Sequence, residues 1–126
     1  MFIIRRIFHR ILRQFFLPNP INFQGLTIFW DRRFGYVPGL YKLKVIEFIK
    51  EYAKGKTFLD IGANIGAHTL TFSKLVGPQG RVFAYEAQPD IFNMLCANLA
   101  LNDIQNVVPI QKACGERHEF MPVPRM

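Results

Sequence analysis

What most limits the folds open to this chain is a regular alternation of strand and helix patterns between residues 57 and 110. Thr57-Phe-Leu-Asp-Ile61 reads as a buried strand, and Gly66 to Val76 reads as a helix stopped by Gly77-Pro-Gln-Gly80. Arg81-Val-Phe-Ala-Tyr-Glu86 is a second strand. Pro89 then opens a second helix at its first turn, where the missing N–H costs nothing. That helix runs through Ile91, Met94, Leu95 and Leu99 to about Asn102, and Val107-Val-Pro-Ile110 is a third strand. Strands and helices alternating over short connections specify an α/β fold: a parallel sheet covered by helices through right-handed crossovers. Pro109 cannot donate to a ladder, so the third strand belongs at a sheet edge. The expected strand order is 3-2-1, which leaves one flank of the first strand bare.

The junction of the first strand with the first helix is the candidate site. In Phe58-Leu-Asp-Ile-Gly-Ala-Asn-Ile-Gly-Ala-His-Thr69 two glycines stand four residues apart, with Asp60 just ahead of the first. A glycine turn at the C-terminal end of a strand lets the backbone swing into a helix whose free N–H groups and positive dipole end point at a ligand. Open α/β sheets bind their ligands at that end. Asn64 suits the interior of the turn because asparagine tolerates left-handed backbone geometry. Glu86 follows Gly66 by twenty residues, which sets a carboxylate beside the loop, able to accept hydrogen bonds from both hydroxyls of a ribose. A dinucleotide fingerprint needs Gly-x-Gly-x-x-Gly; here the order is Gly62-Ala-Asn-Ile-Gly66-Ala, without the second glycine. Asp60 repels a pyrophosphate and suits an ammonium or sulfonium group. The expected ligand is therefore a nucleoside carrying a zwitterionic, partly cationic group.

Charge separates the rest of the chain from this site. The formal net charge is +7, but residues 1–56 hold eleven basic and three acidic side chains, against five and six in residues 57–126. In Met1-Phe-Ile-Ile-Arg-Arg-Ile-Phe-His-Arg-Ile-Leu-Arg-Gln-Phe-Phe-Leu17 apolar pairs alternate with polar pairs, which draws one apolar and one arginine-rich helix face. No apolar run reaches the roughly 18 residues of a membrane span, and the arginines interrupt any signal-peptide core. Two readings fit: a helix lying on an anionic membrane surface, or one packed on its own domain or a second copy. Pro18-Asn-Pro20 ends it. Ile21 to Gly39 is rich in aromatics, with strand-like Leu26-Thr-Ile-Phe-Trp30, and reads as a small lid or hairpin; its Asp31-Arg32-Arg33 is a solvated loop or an anion contact. Leu40 to Lys54 is a helix capped by Gly55. Cys96 and Cys114 are too few for a disulfide framework, so a reducing cytoplasm is the expected location.

Asp60-Ile-Gly-Ala-Asn-Ile-Gly66, Val76-Gly-Pro-Gln-Gly-Arg-Val-Phe-Ala-Tyr-Glu86, Gln88-Pro89, Ala97-Asn-Leu-Ala-Leu-Asn102 and Asn106-Val are similar to the front half of class I S-adenosylmethionine-dependent methyltransferases. Asn64, at a position where the wider superfamily often has glycine, makes the stretch resemble the FkbM family in particular. The resemblance covers residues from about 45 to 116. It implies the front half of a doubly wound, Rossmann-like methyltransferase sheet preceded by the amphipathic N-terminal helix, with S-adenosyl-L-methionine as cofactor. Gly62, Ala63, Asn64 and Gly66 would line its methionine part, Asp60 would hold its amino group through water, and Glu86 its ribose hydroxyls. The implied reaction is methyl transfer to a hydroxyl of a sugar or secondary metabolite. In such enzymes later strands supply the other wall of the site, so the expected organisation is a leader at 1–39 and a partial methyltransferase domain at 40–126, truncated after the third strand. No catalytic base is identifiable. His68, the histidine near the loop, reads as packing or support, because a helix N-terminus disfavours its charged form. No metal site and no nucleic-acid partner are expected, and the bare sheet edge suggests self-association. The alternatives are a nicotinamide-dependent oxidoreductase fragment and a non-catalytic remnant that binds a membrane surface.

Overall fold

In the computed structural model the described residues are 21–23, 26–28 and 49–123. The amphipathic segment 1–17, the Asp31-Arg32-Arg33 tract and the first part of the helix expected from Leu40 lie outside them. Strands β1 (Ile21–Phe23) and β2 (Leu26–Ile28) pair antiparallel, Ile21 opposite Ile28 and Phe23 opposite Leu26. The expected hairpin is present. Residues 49–52 are helical, and Gly55 leaves the helix end with φ +73°, its N–H donating to the Val76 carbonyl at 2.8 Å.

The main unit follows as β3 (Thr57–Ile61), α1 (Ala67–Val76), β4 (Arg81–Tyr85), α2 (Pro89–Leu101) and β5 (Val107–Ile110). Its three strands are parallel in the order β3-β4-β5, with Asp60 opposite Ala84 and Ala84 opposite Pro109. Among the described residues β5 has one neighbour, β4, so an imino acid there breaks no inner ladder. The 3-2-1 order and the edge position of Pro109 are as the sequence predicts.

Both crossovers step the same way across the sheet, and right-handed connections then place both helices on the same face. Phe58 and Val82 pack with Phe72, Leu75 and Val76, while Ala84 packs with Leu70, Leu95 and Leu99. Val82, Ala84, Leu70 and Leu95 are fully buried there. Side chains alternate across a strand, so Leu59 and Ile61 point to the opposite face, and each is 64% exposed. The expectation of a buried first strand thus needs correcting: among the residues of β3 only Asp60 is buried.

Side-chain caps fix the ends of the helices. Gln88 Oε1 accepts from the N–H groups of Asp90 (2.6 Å) and Ile91 (3.3 Å), with Pro89 filling the first helical position of α2. Asn106 Nδ2 donates to the carbonyls of Ser73 (2.7 Å) and Gly77 (2.9 Å) and so closes the C-terminal end of α1, where the last carbonyls of a helix lack intrahelical partners. Gly80 permits the turn between α1 and β4 to close, since a methyl group there would meet Val76 and sit 2.7 Å from the Lys56 carbonyl oxygen.

Candidate functional site

The loop of residues 62–66 leaves β3 at its C-terminal end and enters α1. Gly62 (φ +77°), Asn64 (φ +53°) and Gly66 (φ +91°) all take left-handed backbone geometry. This gives the tight reversal and confirms the reading of Asn64. The glycines differ in their surroundings: a methyl on Gly66 would stand 2.6 Å from Leu95 Cδ1, whereas one on Gly62 would meet nothing within 4 Å. Gly66 lets α2 approach the loop, and Gly62 leaves its outer side open.

The amides of this loop are not free donors. Those of Gly62 and Ala63 donate to the Tyr85 carbonyl (2.9 and 2.8 Å), and that of Gly66 to the Ala63 carbonyl (3.0 Å). The Asn64 amide donates to Glu86 Oε2 at 2.9 Å, and the Ile65 amide to Asn64 Oδ1 at 2.7 Å. All five consecutive amides of residues 62–66 are engaged; the free N–H groups expected of the helix belong to the first turn of α1, which begins at Ala67. A phosphate cradle works through unengaged amides. This loop does not offer one.

Glu86 is the second fixed point. It directly follows β4, and its own amide extends the ladder to the Ile110 carbonyl at 3.1 Å. Oε2 accepts from Asn64, and Oε1 from the Gln88 amide at 2.8 Å. An ionised carboxylate offers about four lone-pair directions, so two backbone bonds orient the group and leave capacity for hydroxyl donors. The placement of Glu86 beside the loop agrees with the sequence. Its tethering to the loop by the Asn64 amide was not visible there.

Asp60 is 8% exposed and faces α1, where the Thr69 hydroxyl donates to Oδ2 at 2.5 Å. Among the described residues Oδ1 accepts no hydrogen bond. His68 lies half-buried in the same turn, its ring stacked on Phe72 (centroids 5.8 Å), which stacks on Phe58 (5.4 Å). Burial pushes the imidazole below its ordinary 6.5, and the charge of Asp60 partly offsets this. The packing role expected of His68 is what the ring shows, with burial as the leading cause of its neutrality.

Two residues of the site escaped the sequence reading. Thr69 is one, and Asn98 is the other: fully buried, it donates through Nδ2 to the Ile65 carbonyl at 2.8 Å and so ties α2 to the loop. The available signal was an amide on the apolar face of α2, three residues after Leu95 and beside Leu99. Past β5, Ala87 and residues 111–121 line an open cleft of about 440 Å³ near the same strand ends. Among the described residues no group of three or more side chains suited to a metal comes together.

Residues 38–117 match the family model described as protein-L-isoaspartate(D-aspartate) O-methyltransferase. A curated relative, the tRNA(Phe) (4-demethylwyosine(37)-C(7)) aminocarboxypropyltransferase of Methanocaldococcus jannaschii, is 35% identical over 57 residues, or 45% of this chain and 22% of the relative. Among solved structures, Trm5b from Pyrococcus abyssi superposes with a TM-score of 0.58 at 26% identity, over 75% of this chain and 28% of that one. TYW2 of M. jannaschii, in complex with AdoMet, gives 0.57 at 23% identity, over 73% and 42%. The chain thus spans less than half the length of each of these relatives.

Proposed function

The chain belongs to the protein-L-isoaspartate(D-aspartate) O-methyltransferase family, and from that premise we propose that its sheet is the cofactor-binding part of an S-adenosyl-L-methionine-dependent methyltransferase. The observation that carries this reading is the donor set at the strand ends. Two carboxylates, Asp60 and Glu86, flank a loop whose own amides are all engaged, so the strand ends offer acceptors for a cation and for hydroxyls. The nicotinamide alternative lacks the Gly-x-Gly-x-x-Gly fingerprint.

The residues fit the cofactor. Asp60 is a buried carboxylate with one oxygen unpartnered among the described residues, which suits the amino group of the methionine part, directly or through water. Gly62, Ala63, Asn64 and Gly66 form the turn against which that part lies, with the open side of Gly62 towards free space. Glu86, oriented by two backbone amides, takes the ribose hydroxyls on its remaining lone pairs. When bound, the cofactor supplies a sulfonium methyl to an incoming nucleophile. The work of this chain's residues is to hold and orient it, which removes much of the entropic part of the barrier.

For the acceptor, the Asp-x-Gly-Ala-Asn-x-Gly form supports the FkbM-like reading and transfer to a hydroxyl of a sugar or secondary metabolite. A second reading, an RNA acceptor, draws on the tRNA-directed relative and on the arginine-rich segment 1–17. Calorimetry with S-adenosylhomocysteine tests the cofactor. Glu86→Ala removes two charge-assisted hydrogen bonds and is expected to weaken binding by on the order of 2–4 kcal/mol. Unchanged affinity would mean that the ribose lies elsewhere, and binding of NADH in preference would remove the methyltransferase reading. Label transferred from S-adenosylmethionine to a glycan pool, to tRNA or to an isoaspartyl peptide then separates the acceptors.

A further inference from the structure

The geometry points to Thr69 as a positioning residue for the amino-acid end of the cofactor, acting through Asp60; this rests on the methyltransferase reading above. Thr69 is fully buried, and its hydroxyl donates to Asp60 Oδ2 at 2.5 Å. A buried threonine in a helix ordinarily turns its hydroxyl back to a carbonyl of the preceding turn. Thr71 does so, donating to the Ala67 carbonyl at 3.1 Å. Thr69, two residues earlier on the same helix, instead reaches across to the neighbouring strand.

Three consequences follow from that bond. A hydroxyl has one proton, and by giving it to Oδ2 Thr69 engages that oxygen as an acceptor. A β-branched side chain has restricted χ1 freedom, so the donor holds the carboxylate in one orientation. With Oδ2 already accepting one bond, Oδ1 is the more open oxygen for the ligand, and a buried acceptor favours a charged donor there. An ammonium group, met directly or through one water, is such a donor. Neutral His68 in the same turn adds no competing positive charge.

The test uses the full 126-residue chain with two probes that differ only in the part Asp60 would meet. S-Adenosylhomocysteine carries the amino-acid end, and 5′-methylthioadenosine lacks it. Thr69→Val, which keeps the shape and removes the donor, is expected to weaken the first about tenfold and the second by less than about twofold. Thr69→Ser should restore the wild-type value. Thr69→Ala carries the same measurements should valine prevent folding. Equal weakening of both probes would mark Thr69 as merely structural and overturn the proposal, as would unchanged S-adenosylhomocysteine affinity. If the wild-type chain binds neither probe, the methyltransferase reading fails by itself. If the parent binds S-adenosylhomocysteine and Thr69→Val keeps the full affinity, the methyltransferase reading stands and the clamp alone is refuted.

Discussion

Gly62 and Gly66 look equivalent in the sequence, yet only one is locked by its neighbours. Gly62→Ala places a side chain in left-handed geometry with open space around it, at a cost of roughly 1–2 kcal/mol. Gly66→Ala incurs the same backbone strain and also drives a methyl into Leu95, which overpacks the core by a further 1–3 kcal/mol or so. Urea denaturation should therefore separate the two variants by at least about 1 kcal/mol, and equal losses would show that Leu95 yields freely. His68 gives a pH prediction. Its native pKa lies below the ordinary 6.5, so the unfolded chain takes up a proton first as the pH falls. The neutral ring's contribution is complete above about 6.5 and is lost as the pH drops through the lower native value. Thermal melts at pH 7.5 and 5.5 should show a smaller drop for His68→Phe than for the parent. The same drop in both would assign the acid sensitivity to other groups.

At the scale of elements, asparagines, Asn98 buried and Asn106 half-buried, join pieces that a periodicity reading treats separately. Asn98 connects α2 to the loop through Ile65, Asn102 Nδ2 donates to the Asn98 carbonyl, and Asn106 closes α1 from the start of β5. Replacing Asn98 by leucine keeps the branched outline of the side chain but leaves the Ile65 carbonyl without this donor and is expected to destabilise the fold by about 1–3 kcal/mol. It should also weaken S-adenosylhomocysteine binding, because the loop carries the site. Loss of stability at full affinity would show that the loop keeps its shape without α2. The elements themselves were legible: the bounds of β3 and β5 match the expectation, and α1 starts one residue later than expected, after Gly66 as its N-cap. Apolar period and turn residues are local properties, whereas the asparagine links span up to 33 positions and leave no periodic trace.

Across the whole molecule, two crossovers of one hand put both helices on the same face of the sheet and leave Leu59 and Ile61 on the other. For the 126-residue chain this predicts self-association by light scattering. The double variant Leu59→Lys, Ile61→Lys should shift it towards monomer, with only about 0.5 kcal/mol or less of stability change per site, since both positions are exposed. Association at the wild-type level would place the contact elsewhere. The sequence by itself determined the strand–helix alternation, the edge position of Pro109 and the carboxylates at two strand ends, because each follows from the geometry of a few adjacent residues. Only the tertiary structure decided that Glu86 is tied to the Asn64 amide, that Thr69 holds Asp60, and that the amides of Gly62 and Ala63 are spent on the Tyr85 carbonyl. Those pairings join separate strands, helices and loops, and chain folding alone brings them within hydrogen-bonding distance.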